Sequence, residues 1–580
     1  MKFRLSILMT GLILANVATA ATEVNLRMQP ASYMQKQLSS QNEKVKFKTI
    51  RTDVDFNNTA HTRIQQMYDG IPVWNATGVI HSPNAGKTAK RAFAPIHDNT
   101  TMNGVIYENL EKDLRKTSAL TFNKTSQQKA LLTAKNSFTK KFRAPVNNFT
   151  NEKSQMIIFV DDNKQAHYAY LTSFDYYTAN SATRPTSIVD AATQKVYRTW
   201  EGLYFANSKE AAIAAARAKF AKSLEDQDDD KLPEGVYEII VGGIGGNIKS
   251  GEIVYDGKQT KEPNAIARDF DWEMTPGMHT KFTMCALWNK DIRVLDVAYD
   301  NEKVVSTCIP NFQQHNNVHW MNMDKGLTRW NNDEMNDGYS PSLDAFYAAQ
   351  AIKNMYQDWY NVPALIDQDG KPMKYTMRVH FGRKFDNAFW DGRQMTFGDG
   401  GTMFYPMSSL GVAAHEISHG FTDTYSHISG EYPQMGALHE SFSDMAAIAT
   451  ENYTTGTNGW DLGREVMKNE GALRYLDNPT KDGSSIDHMK DFDETEAHGG
   501  AGITNKAFYL MATSKGWNTH KAFDVWVKAN MHYWNSSMQT LGEAACGVVA
   551  ATKDYGYNVA DVRIAFAKVG IDTDTCQAAS

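Results

Sequence analysis

Residues 411–425 read GVAAHEISHGFTDTY, and the fold can be worked out from them outward. Apolar spacing of three and four across 411–427 predicts a helix. His415 and His419 are four apart, so a helix stacks them on one face, where two imidazoles can share one tetrahedral cation. Glu416 projects about a quarter-turn round, towards a water on that cation. The H-E-x-x-H pattern alone has chance odds of roughly a few per cent in a chain of this length. A second motif downstream makes chance much less credible. Residues 436–444 read GALHESFSD, placing Glu440 and Asp444 four apart on a second predicted helix, 437–453. Glu440 can complete a His₂Glu ligand set with one open position. Asp444, one turn on, can accept a hydrogen bond from the second nitrogen of a ligand histidine and fix its tautomer. Alone, Glu440 and Asp444 would suit a solvated helix face equally well; the histidine pair decides against that.

Further out, the chain divides by composition. After Gly411, helical spacing recurs at 502–514 and 519–532. Residues 237–410 carry strand and turn signals, including an Asp369-Gly370 hairpin candidate, interrupted by one helix near 340–359. From Ala21 to Leu203 short β-type runs alternate with turns, as in 78–81 and 156–160. Residues 208–225 are Ala-rich with Ser208 at a predicted N-cap; the acidic tract 226–230, Pro233 and Gly235 come next. That tract marks a domain boundary and a processing region, because exposed polar segments are where proteases cut.

The 580 residues are 42% hydrophobic and 22% charged, with net charge −6. Mean hydropathy is −0.50 and pI about 6.3. This excludes a polytopic membrane protein and a mainly disordered chain, and leaves no electrostatic footprint for nucleic acid or anionic lipid. Residues 1–20 begin with Lys2 and Arg4, run apolar from Leu5 to Leu14 and end Ala18-Thr19-Ala20, as a cleaved secretory signal does. No later segment is apolar for long enough to span a bilayer, so a soluble product is expected. Four cysteines suit an oxidising compartment. Of three connectivities, the sequential pairs Cys285–Cys308 and Cys546–Cys576 are favoured, since each lies within one candidate domain.

These residues carry a family resemblance. The chain resembles a thermolysin-type zinc endopeptidase and is most similar to the pseudolysin and vibriolysin branch of Gram-negative bacteria. The resemblance covers nearly everything after residue 20. It rests on NAFWDG (387–392), HEISH (415–419), ESFSD (440–444), RYLDNP (474–479), AHGGAGITNK (497–506), GWNTHKAFDVW (516–526) and both cysteine pairs. It implies an α+β fold: a two-lobed catalytic unit with a β-rich N-lobe (241–410) and a helical C-lobe (411–580), zinc lying at the connecting helix. Residues 61–81 resemble the fungalysin/thermolysin-type propeptide module (21–120), and 155–203 the PepSY-type module (121–203). Residues 204–240 would then link and process. The propeptide is expected to chaperone folding, block the cleft and be removed by self-cleavage between about Leu203 and Gly243.

The resemblance also assigns site residues. It implies Zn²⁺ on His415, His419 and Glu440, with Glu416 as general base for a zinc-bound water. Asn387 and Ala388 match the edge-strand residues that hold substrate backbone. Arg474 matches an arginine that bonds a substrate carbonyl. His498 matches the histidine that stabilises the tetrahedral intermediate, with Asp493 as its partner. Tyr432 is the nearest candidate for the oxyanion tyrosine, although the spacer to Glu440 is one residue longer than thermolysin's. His439 stands where an Asn is usual. Phe404, Met407, Val412, Leu462 and Leu473 align with the specificity pocket, implying cleavage before bulky hydrophobic residues. The calcium carboxylates map onto Gly411, Ile448 and Gly459, with Glu451 and Asp461 surviving, so a weak Ca²⁺ site or none is expected. A secreted monomer exported through the periplasm, acting on proteins and peptides, completes the expectation. Two rivals remain: a silent zinc protein that only binds, and an exopeptidase.

Overall fold

A computed structural model describes residues 21–39, 44–83, 96–97, 99–114, 124–142, 149–178, 181–205, 236–255, 265–275, 278–297, 306–310, 318–321, 333–367, 369–382, 384–492 and 497–576. The signal segment 1–20, the predicted helix 208–225 and the acidic tract 226–230 lie outside these residues.

The N-terminal third is built on a ten-stranded sheet. Its central hairpin, Ala60–Tyr68 with Ile71–Ser82, turns at Asp69-Gly70, where φ is +50° and +78°. An Asp-Gly pair favours that turn because glycine carries no Cβ to oppose a positive φ. The two expected propeptide modules share this sheet, joined by one parallel pairing of Val73 with Ile158. Helix Lys124–Phe142 seals one face, placing Ala130, Ala134 and Phe138 against Tyr170 and Phe174.

Two further sheets form the β-rich lobe. One has six strands, from Val236–Asn247 to Val318–Met321. The other runs Tyr204–Phe205, Ala388–Trp390, Met395–Gly398, Tyr375–Phe381, Ile292–Asp296. Its outermost strand therefore comes from the N-terminal third. Tyr204 pairs with Trp390 and Phe205 with Phe389, antiparallel.

The helical lobe holds the four predicted helices, with ends shifted by up to five residues, and two that were not predicted, Leu541–Asp554 and Val559–Lys568. The first motif helix, Leu410–Tyr425, is capped by Ser409, whose hydroxyl accepts the Val412 N–H. The second, Pro433–Thr455, starts with proline in its first turn and stops at Gly456 with φ +78°. Helix Pro341–Tyr360 packs across both; Tyr356 and Phe421 stack at 4.5 Å and Phe421 and Phe442 at 5.5 Å. All three rings are fully buried. Burying each contributes roughly 1.5–3 kcal/mol, so this aromatic column fixes the two motif helices side by side.

Local expectations fare differently. Helix 519–532 stops at Lys528 and continues as one π-turn, Ala529–Tyr533. The Asp369-Gly370 candidate forms a tight turn, with Gly370 donating to Asp367 O, but it is flanked only by an Ile366–Pro372 bridge. Pro372 has no N–H to extend a ladder. The Cys546–Cys576 bridge is present. Strands Met278–Ala286 and Ser306–Pro310 pair with Cys285 opposite Ser306 and Cys308 opposite Thr283, but the side chains of Cys285 and Cys308 lie outside the described residues. Among the described residues, no helix is long and apolar enough to cross a membrane.

The N-terminal third is tied to the helical lobe by polar contacts. Arg63 donates to Trp534 O and Met531 O, Asn103 to Tyr533 O, and Lys528 Nζ lies 2.5 Å from Asp55 Oδ2.

Candidate active site

His415 and His419, one turn apart on the first motif helix, meet Glu440 from the second. Among the described residues, this is the one group of three metal-binding side chains, with donor atoms within 4.8 Å of one another. His415 Nε2 lies 3.0 Å from His419 Nε2 and 3.3 Å from Glu440 Oε2. All three residues are buried, and Glu440 Oε2 is met by imidazole nitrogens alone, at 3.3 Å from His415 Nε2 and from His498 Nε2.

Proton accounting identifies what such a site wants. His415 Nδ1 lies 2.9 Å from Asp444 Oδ1, so that nitrogen carries a proton. His419 Nδ1 is 2.7 Å from His439 Nδ1 and 3.1 Å from Ser443 Oγ, both able to accept. With protons on Nδ1, the two Nε2 lone pairs face each other and a carboxylate oxygen. A dication satisfies three such donors at once, and two His plus one Glu with an open position suits zinc.

The surrounding field agrees. Burial opposes charge on His415, but Asp444 and Glu440 outweigh it and raise its pKa to about 9, so a positive charge is favoured there. Burial and the neighbouring His415, His439, His498 and Arg474 hold His419 well below its usual value, keeping its lone pair available. Asp444 is itself held by Arg474, through Nε at 2.8 Å and Nη2 at 2.7 Å, and by Asn505 Nδ2 at 2.8 Å. Glu416 is fully buried beside the set, and neither carboxylate oxygen has a hydrogen-bond partner in the structure. Burial pushes its pKa up to about 8, with Glu440 adding and His415 opposing.

Of the remaining expected residues, His498 and Arg474 reach this centre, and the other described ones are held by contacts of their own. His498, in the first turn of helix Ala497–Ala512, has Nε2 at 3.3 Å from Glu440 Oε2. Its expected partner Asp493 lies outside the described residues. Arg474 reaches the site through Asp444, with Nη2 also 3.5 Å from His415 Nδ1. Asn387 is buried and its Oδ1 accepts the Ala388 N–H at 2.9 Å, so it shapes the start of the edge strand. Phe404, Met407, Val412 and Leu462 are buried in the main core with Leu473 packed against them. Leu473 N–H donates to Leu462 O. Tyr432 stands at the N-cap position of the second motif helix without a side-chain capping bond, and its hydroxyl accepts from Arg198 Nη1 of the N-terminal third at 3.1 Å. Asp461 is paired with Arg464 at 2.5 Å, and Glu451 accepts the Gly459 N–H. Both carboxylates thus have partners within the chain.

Several residues at the site escaped sequence reasoning. Asp423 is four beyond His419 and eight beyond His415, so the same spacing argument would have put it on the histidine face. Trp390, inside NAFWDG, donates its indole N–H to Asp423 Oδ2 at 2.9 Å. Glu431 had no local signal: it accepts from Trp74, Asn75 and Arg198, all more than 200 residues away in sequence.

Fold and site together define a zinc metalloendopeptidase of two lobes behind a pro-region. Residues 276–423 match the thermolysin metallopeptidase catalytic domain, 431–571 its α-helical domain and 45–88 the fungalysin/thermolysin propeptide motif. The chain belongs to the thermolysin metallopeptidase family. It is 37% identical to the zinc metalloproteinase of Legionella pneumophila over 91% of this chain and 88% of that one. The zinc metalloproteinase MspA of Legionella longbeachae is 34% identical over 99% of both chains. The neutral protease of Vibrio proteolyticus is 32% identical over 96% of this chain and 78% of its own.

Proposed function

We propose that the chain is made as a latent precursor, exported, and converted by self-cleavage to a monomeric endopeptidase that cuts proteins before bulky hydrophobic residues. One observation carries the catalytic part of this reading: a fully buried Glu416 with two unpartnered carboxylate oxygens beside three converging metal donors. Buried oxygens of that kind call for a water, ion or substrate to meet them.

His415, His419 and Glu440 would hold zinc, which when bound supplies a Lewis acid that polarises the scissile carbonyl and makes a water acidic. Glu416 takes that water's proton and passes it to the leaving amine. His498 and Tyr432 donate to the oxygen that gains charge, and Arg474 donates to a substrate carbonyl nearby. Asn387, Ala388 and the strand they open hold the substrate backbone as an added strand. Phe404, Met407, Val412, Leu462 and Leu473 floor an apolar pocket that prefers a bulky side chain.

Latency would follow from two contacts of the N-terminal third. Tyr204–Phe205 occupies the edge that a substrate strand would use, and Arg198 engages Tyr432 and the adjacent Glu431. A binding-only protein would have no use for the buried Glu416, and an exopeptidase would need a group to capture a chain terminus. Glu416→Gln should leave zinc bound, measured by metal analysis, while abolishing cleavage of a mixed peptide library. Internal cuts before Leu, Phe or Ile by the parent support the reading; hydrolysis by the Gln variant, or cuts only at termini, overturns it.

A further inference from the structure

The two histidines of the proposed zinc site are held in different ways. His415 is backed by a buried carboxylate, Asp444. His419 is backed by a second imidazole, His439, whose Nδ1 is 2.7 Å away. His439 Nε2 in turn lies 3.3 Å from Asp423 Oδ1, and Asp423 Oδ2 accepts from Trp390 Nε1 at 2.9 Å. The direction of each bond follows from the last. With His419 Nε2 turned to the metal donors, its Nδ1–H donates to His439 Nδ1, the nearer of its two acceptors, with Ser443 Oγ at 3.1 Å as the other. His439 must then carry its own proton on Nε2, which it donates to Asp423. Asp423 accepts once at each oxygen, from the imidazole and from the indole. The chain of bonds starts at a metal-facing ring and ends on the edge strand Ala388–Trp390.

Backbone shape supports the same link. Gly420, directly after His419, lies under the Trp390 ring; a Cβ there would come 3.0 Å from Trp390 Cζ2 and 2.4 Å from Leu365 Cδ2. The helix has a gap where the indole sits. Trp390 is also the residue opposite Tyr204 in the pro-segment strand, so the same residue meets whatever pairs with that edge.

We infer that His439, Asp423 and Trp390 are positioning residues that lock the edge strand and the metal-facing nitrogen of His419 into one geometry. This rests on the reading of His415, His419 and Glu440 as the zinc site and of the edge strand as the peptide seat. Without Asp423, His439 loses the acceptor that fixes its tautomer and can turn an N–H against His419 Nδ1–H. The indole loses its anchor at the same moment. A partner behind a metal-bound histidine typically changes metal affinity about 10- to 100-fold.

The test uses the full-length chain carrying Glu416→Gln, which stays uncut, for zinc retention against a competing chelator. The self-processed active enzyme gives kcat and KM on a peptide. Asp423→Ala should lose zinc about 10-fold more readily and raise KM, while the unfolding temperature of the zinc-free chain stays at the parent value. Trp390→Phe keeps the ring but not the N–H, so KM should rise with zinc retention unchanged. His439→Asn retains an acceptor for His419 and should hold zinc better than His439→Ala. Parent-like zinc retention and KM in Asp423→Ala would overturn the proposal, as would a zinc loss matched by an equal fall in zinc-free stability. His415→Ala is the separate control: if it keeps zinc like the parent, the metal-site reading fails rather than the relay.

Discussion

Acid should loosen the seam between the pro-region and the helical lobe, because buried histidines meet there. His61 and His81 come from the N-terminal sheet, His532 from the helical lobe. His61 Nδ1 lies 2.8 Å from His81 Nδ1, and the His61 ring stacks on His532 at 4.1 Å. His81 Nε2 is 2.7 Å from Asn103 Oδ1. The charged groups facing them are Asp55, Lys528, Asp554, Arg51 and Arg63. Burial, reinforced by His61 and the arginines, pushes His81 down to about 3, with Asn103 opposing; burial also holds His532 well below its usual value. The sign comes from proton counting. Between about pH 6.5 and 3 the unfolded chain binds a proton at His81 that the folded chain does not, so stability is full above pH 6.5 and falls with acidification. From pH 7.5 to 5.5 His81 alone costs about 1.4 kcal/mol, a factor of ten, and His532 acts in the same direction. Urea unfolding of the uncut Glu416→Gln precursor at the two pH values measures this. The same chain with His81→Gln and His532→Gln should lose less stability by at least about 1.4 kcal/mol. Equal losses in the two chains would refute the reasoning.

Arg198→Ala removes the cation from Glu431, whose side chain is 1% exposed in the precursor, while leaving the donors Trp74 and Asn75. About 2 kcal/mol of pro-region affinity should go, read as a roughly 30-fold rise in the concentration at which the processed complex half-dissociates; no change would discount the clasp. Removing Cys546 and Cys576 together, whose bridge spans a sequence separation of 30, should lower urea stability of the folded chain by roughly 3.5 kcal/mol, and an unchanged midpoint would argue against it.

The centre of the site was legible because it is written at helical spacing. His415, His419, Glu440 and Asp444 sit at intervals of four on two helices, so their faces follow from period alone. That Asp444 backs His415 needed only the assumption that the helices meet. The lateral connections were not legible. Nothing local marks Trp390 as the partner of Asp423, since that bond depends on how a sheet edge packs against a helix. Tyr204–Phe205 pairs with a strand nearly 200 residues later, and two residues carry too little pattern to announce a strand. Asn387 was expected to face substrate, but it also bonds its own neighbour, a choice between backbone and ligand that sequence does not encode.

The strand Tyr204–Phe205 has a kinetic consequence. The contacts that hold it, and those of Arg63, Arg198 and Asn103, are all non-covalent and lie before residue 206, while the catalytic strands begin at Val236. Scission anywhere between dissolves none of them. What it changes is molecularity: a tethered plug, whose return needs no encounter, becomes a separate ligand whose return depends on its concentration. On the proposed self-cleavage, cutting and switching on would therefore be distinct events, the second governed by volume. A severed pro-region would keep rebinding in a crowded compartment, and dilution in a large one would complete the activation.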